Sequence, residues 1–175
     1  LNIARDNEPV LLDGFIVGKN PILEKPPSKF IMNEENMKVV ADLVQLASEY
    51  DLMGLSANQV GIDAQLFVLK DWETYRAYIN PRVVYESPEL ALGTESDVSF
   101  PGLSVKITRP YSIRVRYTDI NGEIKTETLE GGTARLFQHE MTHMHGTYFW
   151  DDANFLNRNK AIKDWKNIQR KLKKY

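Results

Sequence analysis

The 175-residue chain carries a formal net charge of −2, with 42% hydrophobic and 26% charged residues and no cysteine. That is the size and balance of one globular domain with a proper core. It excludes disulfides, thiolate metal ligands and cysteine nucleophiles, and no apolar run reaches the length of a membrane span.

The N-terminus, Leu1-Asn2-Ile3-Ala4-Arg5-Asp6, has no signal-peptide apolar core, and the absence of cysteine fits a cytoplasmic protein. Residues 1–32 hold the short apolar runs Val10-Leu11-Leu12 and Phe15-Ile16-Val17, broken by Gly14, Gly18, Pro21, Pro26 and Pro27, and read as short strands and turns. Asn33 reads as an N-cap. Met37, Val40, Ala41, Val44, Ala47 and Ser48 then recur at helical spacing, which predicts a helix from about Glu34 to Tyr50. Met53 to Gly61 is rich in small residues and reads as a tight loop under the core. Gln65 to Leu69 is expected to be a buried strand, and Ala77 to Tyr85 a strand broken by Pro81 and therefore placed at a sheet edge. Gly93 to Gly102 is polar and reads as a loop. Ser112 to Thr118 and Glu123 to Leu129 form a hairpin around Asp119-Ile120-Asn121-Gly122. After Gly131-Gly132, Thr133 is the expected cap of a helix that Gly146 stops. Ile162, Trp165, Ile168 and Leu172 make the last segment an amphipathic helix.

That last segment is also the seat of a charge asymmetry. Residues 157–175 carry eight basic residues against one acid, a net +7 that leaves the remaining chain at −9. A basic tail on an acidic body invites a polyanionic partner.

All three histidines fall between His139 and His145. His139-Glu140-Met141-Thr142-His143 is a His-Glu-x-x-His pattern. On a helix, His139 and His143 lie one turn apart on one face and can close on a single metal ion, with Glu140 beside them. His145 is out of phase and faces elsewhere. Two histidines do not complete a shell, so a third protein ligand and an open position are required.

Three stretches together resemble the peptide deformylase family, metal enzymes that remove the N-formyl group from nascent chains. Met53-Gly54-Leu55-Ser56-Ala57-Asn58-Gln59 resembles G-x-G-φ-A-A-x-Q, Glu95-Ser96-Asp97-Val98-Ser99 sits where the family has E-G-C-L-S, and Gln138-His139-Glu140-Met141-Thr142-His143 resembles Q-H-E-x-D-H. Ile79-Asn80-Pro81, Phe100-Pro101-Gly102 and Arg109-Pro110 extend the match over most of residues 10–155. The departures are Leu52 and Ser56 in the first motif, Thr142 in the third, and Ser96 and Asp97 in the second. The metal-binding cysteine of the family is Asp97 here.

The resemblance implies an α+β fold, with antiparallel strands around a central metal-binding helix and further helices before the strands and at the C-terminus. Residues 1–156 would form the catalytic unit, with 157–175 as a basic helix of the same unit. It further implies a divalent ion (Fe, Zn, Ni or Co) held by Asp97, His139 and His143, and Glu140 as the proton carrier. The oxyanion donors would be the Gln59 amide and the Val98 backbone N–H. Met53, Gly54, Ser96 and Leu136 would line the substrate site, and Glu95 with Arg109 would brace the ligand loop. Carboxylate is a harder ligand than thiolate and can bind through one oxygen or two. The implied substrates are N-formyl-Met peptides, with the ribosome as partner of the basic helix and neither membrane nor DNA. Two alternatives stay open: an inactive relative that binds nascent chains or the ribosome, and another His₂-carboxylate metalloenzyme.

Overall fold

The computed structural model describes residues 11, 12 and 14–173. Val10, the N-terminal residues and Lys174 of the basic tail lie outside the described residues. A short hairpin, β1 (Leu11–Leu12) and β2 (Phe15–Ile16), precedes helix α1 (Glu34–Glu49), whose N-terminus is capped by the Asn33 side chain accepting from Asn36 N. Strand β3 (Gly54–Ser56) runs into a single 3₁₀ turn over Ala57–Val60, closed by Gly61 at φ 84°. Then follow β4 (Leu66–Asp71), β5 (Thr74–Glu86), β6 (Leu90–Asp97), β7 (Phe100–Pro110), β8 (Ser112–Thr118) and β9 (Ile124–Glu130). Helix α2 (Gly131–His145) and helix α3 (Phe155–Leu172) complete the described chain.

Alternation along the strands decides the layering. The five-stranded antiparallel sheet has the order β3-β4-β5-β8-β9. On β4, Leu66 and Val68 pack with Val40, Leu43 and Ala47 of α1, while Phe67 and Leu69 pack with Ala134, Phe137 and Met141 of α2. β5 repeats the division, with Ala77 and Ile79 on the first side and Tyr78 on the second. The sheet is thus the middle layer between α1 and α2, and its central strands read as continuous apolar runs because both faces are covered. β8 shows Ile113, Val115 and Tyr117 to α2 and its intervening residues to solvent. A separate hairpin, β6-β7, forms a third core with Phe149, Trp150 and the Trp165 side chain of α3.

Three expectations change, besides the Met53–Gly61 loop, which instead holds β3 and the 3₁₀ turn. Ala77–Tyr85 is not an edge strand: β5 runs unbroken from Thr74 to Glu86 in the interior of the sheet. Pro81 is tolerated because it sits in a register shift between Ile79 and Arg82, where the ladder needs no N–H from it. Asn80 takes up the bend at φ 50°, and its side-chain amide bonds the N–H and the carbonyl of Phe30 at 2.9 and 3.1 Å. Gly93–Gly102 is not a loop but the end of β6, a tight turn at Val98-Ser99 and the start of β7. Its polar residues alternate outward (Thr94, Ser96) and inward (Glu95, Asp97), so polarity here marks a solvated face and a buried site rather than an irregular segment. The start of α2 also differs. Glu130 occupies the cap position without a side-chain bond, and Thr133 lies inside the helix. Gly146 ends it in the left-handed conformation, as expected, at φ 71° with Lys25 backbone packed against its Cα.

Candidate active site

From Phe137 to Met144 every residue of α2 is buried, including His139, Glu140 and His143. His145 is exposed on the opposite side. The carboxylate of Asp97, at the end of β6, reaches the histidine face: its Oδ2 lies 3.1 Å from His139 Nε2 and 2.8 Å from His143 Nε2. Among the described residues, Asp97, His139 and His143 are a buried group whose ligand atoms lie within 4.8 Å of one another. In a tetrahedral shell, bonds of 2.0–2.2 Å would separate donors by roughly 3.3–3.6 Å, so the two oxygen–nitrogen separations would open by less than about 1 Å around an ion.

The surroundings also suit a cation. Burial opposes a charge on His139, but hydrogen bonds to Asp97 and Glu95 outweigh it and push the imidazole up to about 10. Burial likewise opposes ionisation of Asp97, yet the two histidines hold its carboxyl far below the usual range. A positive charge between these groups is strongly favoured, whether carried by a proton or a metal. His139 Nδ1 lies 2.8 Å from Glu95 Oε1; an ionised carboxylate only accepts, so Nδ1 carries the hydrogen and Nε2 is directed at Asp97.

Glu95 is itself held from three sides. Arg109 donates from Nε and Nη2 to its two oxygens at 2.5 and 2.8 Å, and Arg135 donates to Oε2 at 2.8 Å. Burial would raise the Glu95 pKa, but Arg109 and His139 bring it down to about 2. The expected Glu95–Arg109 pair is therefore a buried bidentate one, and Arg109 continues to Asp152 at 2.9 Å.

Glu140 is different in kind. Burial pushes its carboxyl up to about 7 against the opposing histidines, and Oε2 has no hydrogen-bond partner among the described residues. Gly54 explains how β3 passes so close to it: a Cβ there would stand 2.8 Å from Glu140 Oε1. Gln59 enters from the 3₁₀ turn. Its Nε2 donates to Asp97 Oδ1 at 2.5 Å and to Ser99 Oγ at 3.0 Å, while its Oε1 accepts from Ser56 N at 3.0 Å.

Glu95, Asp97, His139 and Glu140 open on a cleft of about 770 Å³ between β3, the β6-β7 hairpin and α2, with His143 and Gln59 behind them. Met53, Gly54, Ser96, Val98 and Leu136 line it, so every expected substrate-contacting residue faces the same space as His139 and Glu140. Met53 sits at the rim, 54% exposed.

The family described as polypeptide deformylase matches residues 14–159 of this chain. The chain belongs to the polypeptide deformylase family. It is 36% identical over 158 residues to the peptide deformylase of Thermotoga petrophila, covering 89% of this chain and 95% of that protein. It is 31% identical over 136 residues to a peptide deformylase-like protein of Agrobacterium fabrum, covering 77% and 83%. In three dimensions it superposes on the Plasmodium falciparum peptide deformylase in complex with an inhibitor with a TM-score of 0.77 at 32% identity, covering 86% of this chain and 95% of that one.

Within this deformylase fold, several working contacts escaped the motif reading. Arg135 lies one turn before His139 on the same helical face. Besides Glu95 it bonds the carbonyls of Ile107 and Ala91, tying α2 to both strands of the hairpin that carries Asp97. Gly93 makes room for it, since a Cβ there would fall 2.5 Å from the guanidinium. The four-residue spacing Arg135, His139, His143 was the available signal. Asn58, inside the first motif, donates to the His143 carbonyl at 3.0 Å and anchors the end of α2. No sequence signal announced that bond.

Proposed function

We propose that Asp97, His139 and His143 hold one divalent ion, Fe, Zn, Ni or Co, and that Glu140 carries the proton in hydrolysis of the formyl amide. As a polypeptide deformylase the chain is a metal-dependent enzyme that removes the N-formyl group from nascent chains, and the inactive-relative alternative is not favoured. The observation that supports the residue assignment best is the buried Glu140 oxygen, unpartnered among the described residues, beside three converging ligand atoms, with Asp97, His139 and Glu140 lining a cleft. Nothing structural asks for an unpaired carboxylate there, whereas a proton carrier requires one.

A divalent ion held by Asp97, His139 and His143 would supply Lewis-acid chemistry for the water and the formyl carbonyl. Glu140 accepts a proton from the attacking water as its oxygen bonds to the formyl carbon. It returns that proton to the methionine nitrogen as the carbon–nitrogen bond breaks, leaving formate and a free N-terminus. Burial raises the Glu140 carboxyl of the metal-free protein to about 7, a direction that suits a group taking up a proton and giving it back. The developing oxyanion is met by the Val98 backbone N–H and by Gln59, which can exchange its bond to Ser99 Oγ for one to the substrate. Met53, Gly54, Ser96 and Leu136 contact the peptide and its methionine side chain. Glu95 and Arg109 fix the orientation of His139.

We further place the protein in the cytoplasm, with α3 belonging to the same unit as residues 1–156 and docking on ribosomal RNA through its basic residues. No helix among the described residues is long and apolar enough to cross a membrane. The experiment is formate release from a formyl-Met peptide by protein prepared anaerobically, with metal content measured on the same sample. Turnover in proportion to bound metal is expected; none with any of the four ions would overturn the assignment.

A further inference from the structure

The substitution of aspartate for the family's cysteine brings a second oxygen into the ligand set, and the surroundings of that oxygen decide how the site can bind. Asp97 Oδ1 is fully engaged: Gln59 Nε2 donates to it at 2.5 Å and the backbone N–H of Ser99 at 3.0 Å. Only Oδ2 is directed at His139 and His143. The orientation of the Gln59 amide is not arbitrary. Its Oε1 accepts from the backbone N–H of Ser56, which can only donate, so its NH₂ group must point to Asp97 and Ser99. The single Ser56 hydroxyl hydrogen is shared between Asn58 Oδ1 at 2.7 Å and the same Gln59 oxygen at 3.1 Å, so the Ser56 backbone N–H is the bond that sets the amide. Ser56, Gln59, Asp97 and Ser99 are all buried, so water does not compete for these bonds.

We infer that Gln59 is a positioning residue that clamps Asp97 as a one-oxygen metal ligand, using Ser56 as its own support. The inference rests on the metal-centre reading above. A carboxylate free to turn would offer both oxygens and take a second coordination position. The clamp keeps that position for water and substrate, so the aspartate occupies the single place in the shell that a thiolate would. Ser56 and Asp97, both departures from the family pattern, are linked through Gln59.

The test uses the full chain and zinc alone. The infrared difference between zinc-loaded and zinc-free protein, with aspartate labelled by ¹³C, reports the separation of the asymmetric and symmetric carboxylate stretches. Wild type is expected to show the wide separation of one-oxygen binding. In Gln59→Met the separation should narrow to that of two-oxygen binding, with zinc affinity by chelator competition falling about 10–100-fold. A narrow separation in wild type overturns the clamp without recourse to any variant, as does a Gln59→Met spectrum identical to wild type. Failure of wild type to bind zinc at all would instead remove the metal centre on which the clamp depends, so the two failures are distinguishable.

Discussion

Helices α2 and α3 are of similar length, 15 and 18 residues, and are built on opposite terms. Nine residues of α2 are buried, five of them polar or charged (Gln138, His139, Glu140, Thr142 and His143). α3 buries only Trp165, whose Nε1 donates to the Pro101 carbonyl at 2.8 Å. The polar groups of α2 are affordable only because partners arrive from distant segments: Asp97 and Glu95 from β6, Asn58 from the 3₁₀ turn, Pro110 from the end of β7. The charges of α3 stay in water, and Trp165, with the partly buried Ala161 and Ile162 beside it, anchors the helix on the third core. A helix buried with its polar groups is committed to chemistry and cannot be altered locally. One pinned by a ring and two small contacts leaves most of its surface free to change.

The largest effect belongs to α2. Glu140→Ala should lower formate release by about 10²–10⁴-fold while bound metal is unchanged. Loss of metal in that variant would show Glu140 acting as a ligand rather than as the proton carrier. Trp165→Ala is the corresponding change on α3, and truncation of a buried tryptophan costs about 3–5 kcal/mol in unfolding free energy. Urea denaturation measures it, and a loss under 1 kcal/mol would mean that α3 is held by something other than this ring.

A subtler test addresses the support of α2 through Glu95. Its folded pKa, about 2, lies below its ordinary value of 4.5. The stabilisation is therefore fully present above about pH 4.5 and is lost as pH falls toward 2. Arg109→Ala raises the folded value, so the metal-free protein should lose its near-ultraviolet circular dichroism at a higher pH than wild type. An unchanged acid midpoint would show Arg135 sufficient by itself. The smallest effect on the fold is expected on the outer face of α3. Exchanging both Lys163 and Lys166 for glutamate should leave unfolding free energy within about 0.5 kcal/mol and turnover of a short formyl peptide unchanged, while salt-sensitive sedimentation with ribosomes weakens. Equal sedimentation of both forms would remove α3 as the docking element.

Local patterns made much of this legible. Asn33, the Asp119–Gly122 turn, Gly146 and the apolar period of α1 act through neighbours in sequence, and the elements they mark lie where those signals placed them. The His139–His143 pair was readable because four residues make one helical turn, and the order of three motifs was enough to point to the family and to Asp97. The β6-β7 hairpin was not legible as strands, because its alternating polar residues look like a loop until the site they enter is known. Nor was the interior place of β5, since a proline rules out a central strand only when the ladder has no register shift to absorb it.

By itself, then, the chain's order of residues determined its helices, its hairpin turn, a candidate set of metal ligands and its family. Tertiary structure alone decided that Arg135 and Arg109 share Glu95, that Asn58 holds the end of α2, and that Gln59 occupies one oxygen of Asp97 and leaves the other for the histidines. Those bonds join residues 38 to 85 positions apart, with the sole exception of the 14-residue Arg109–Glu95 pair. Periodicity and capping carry no information at such separations, and only the packing of the layers brings the partners within hydrogen-bond reach.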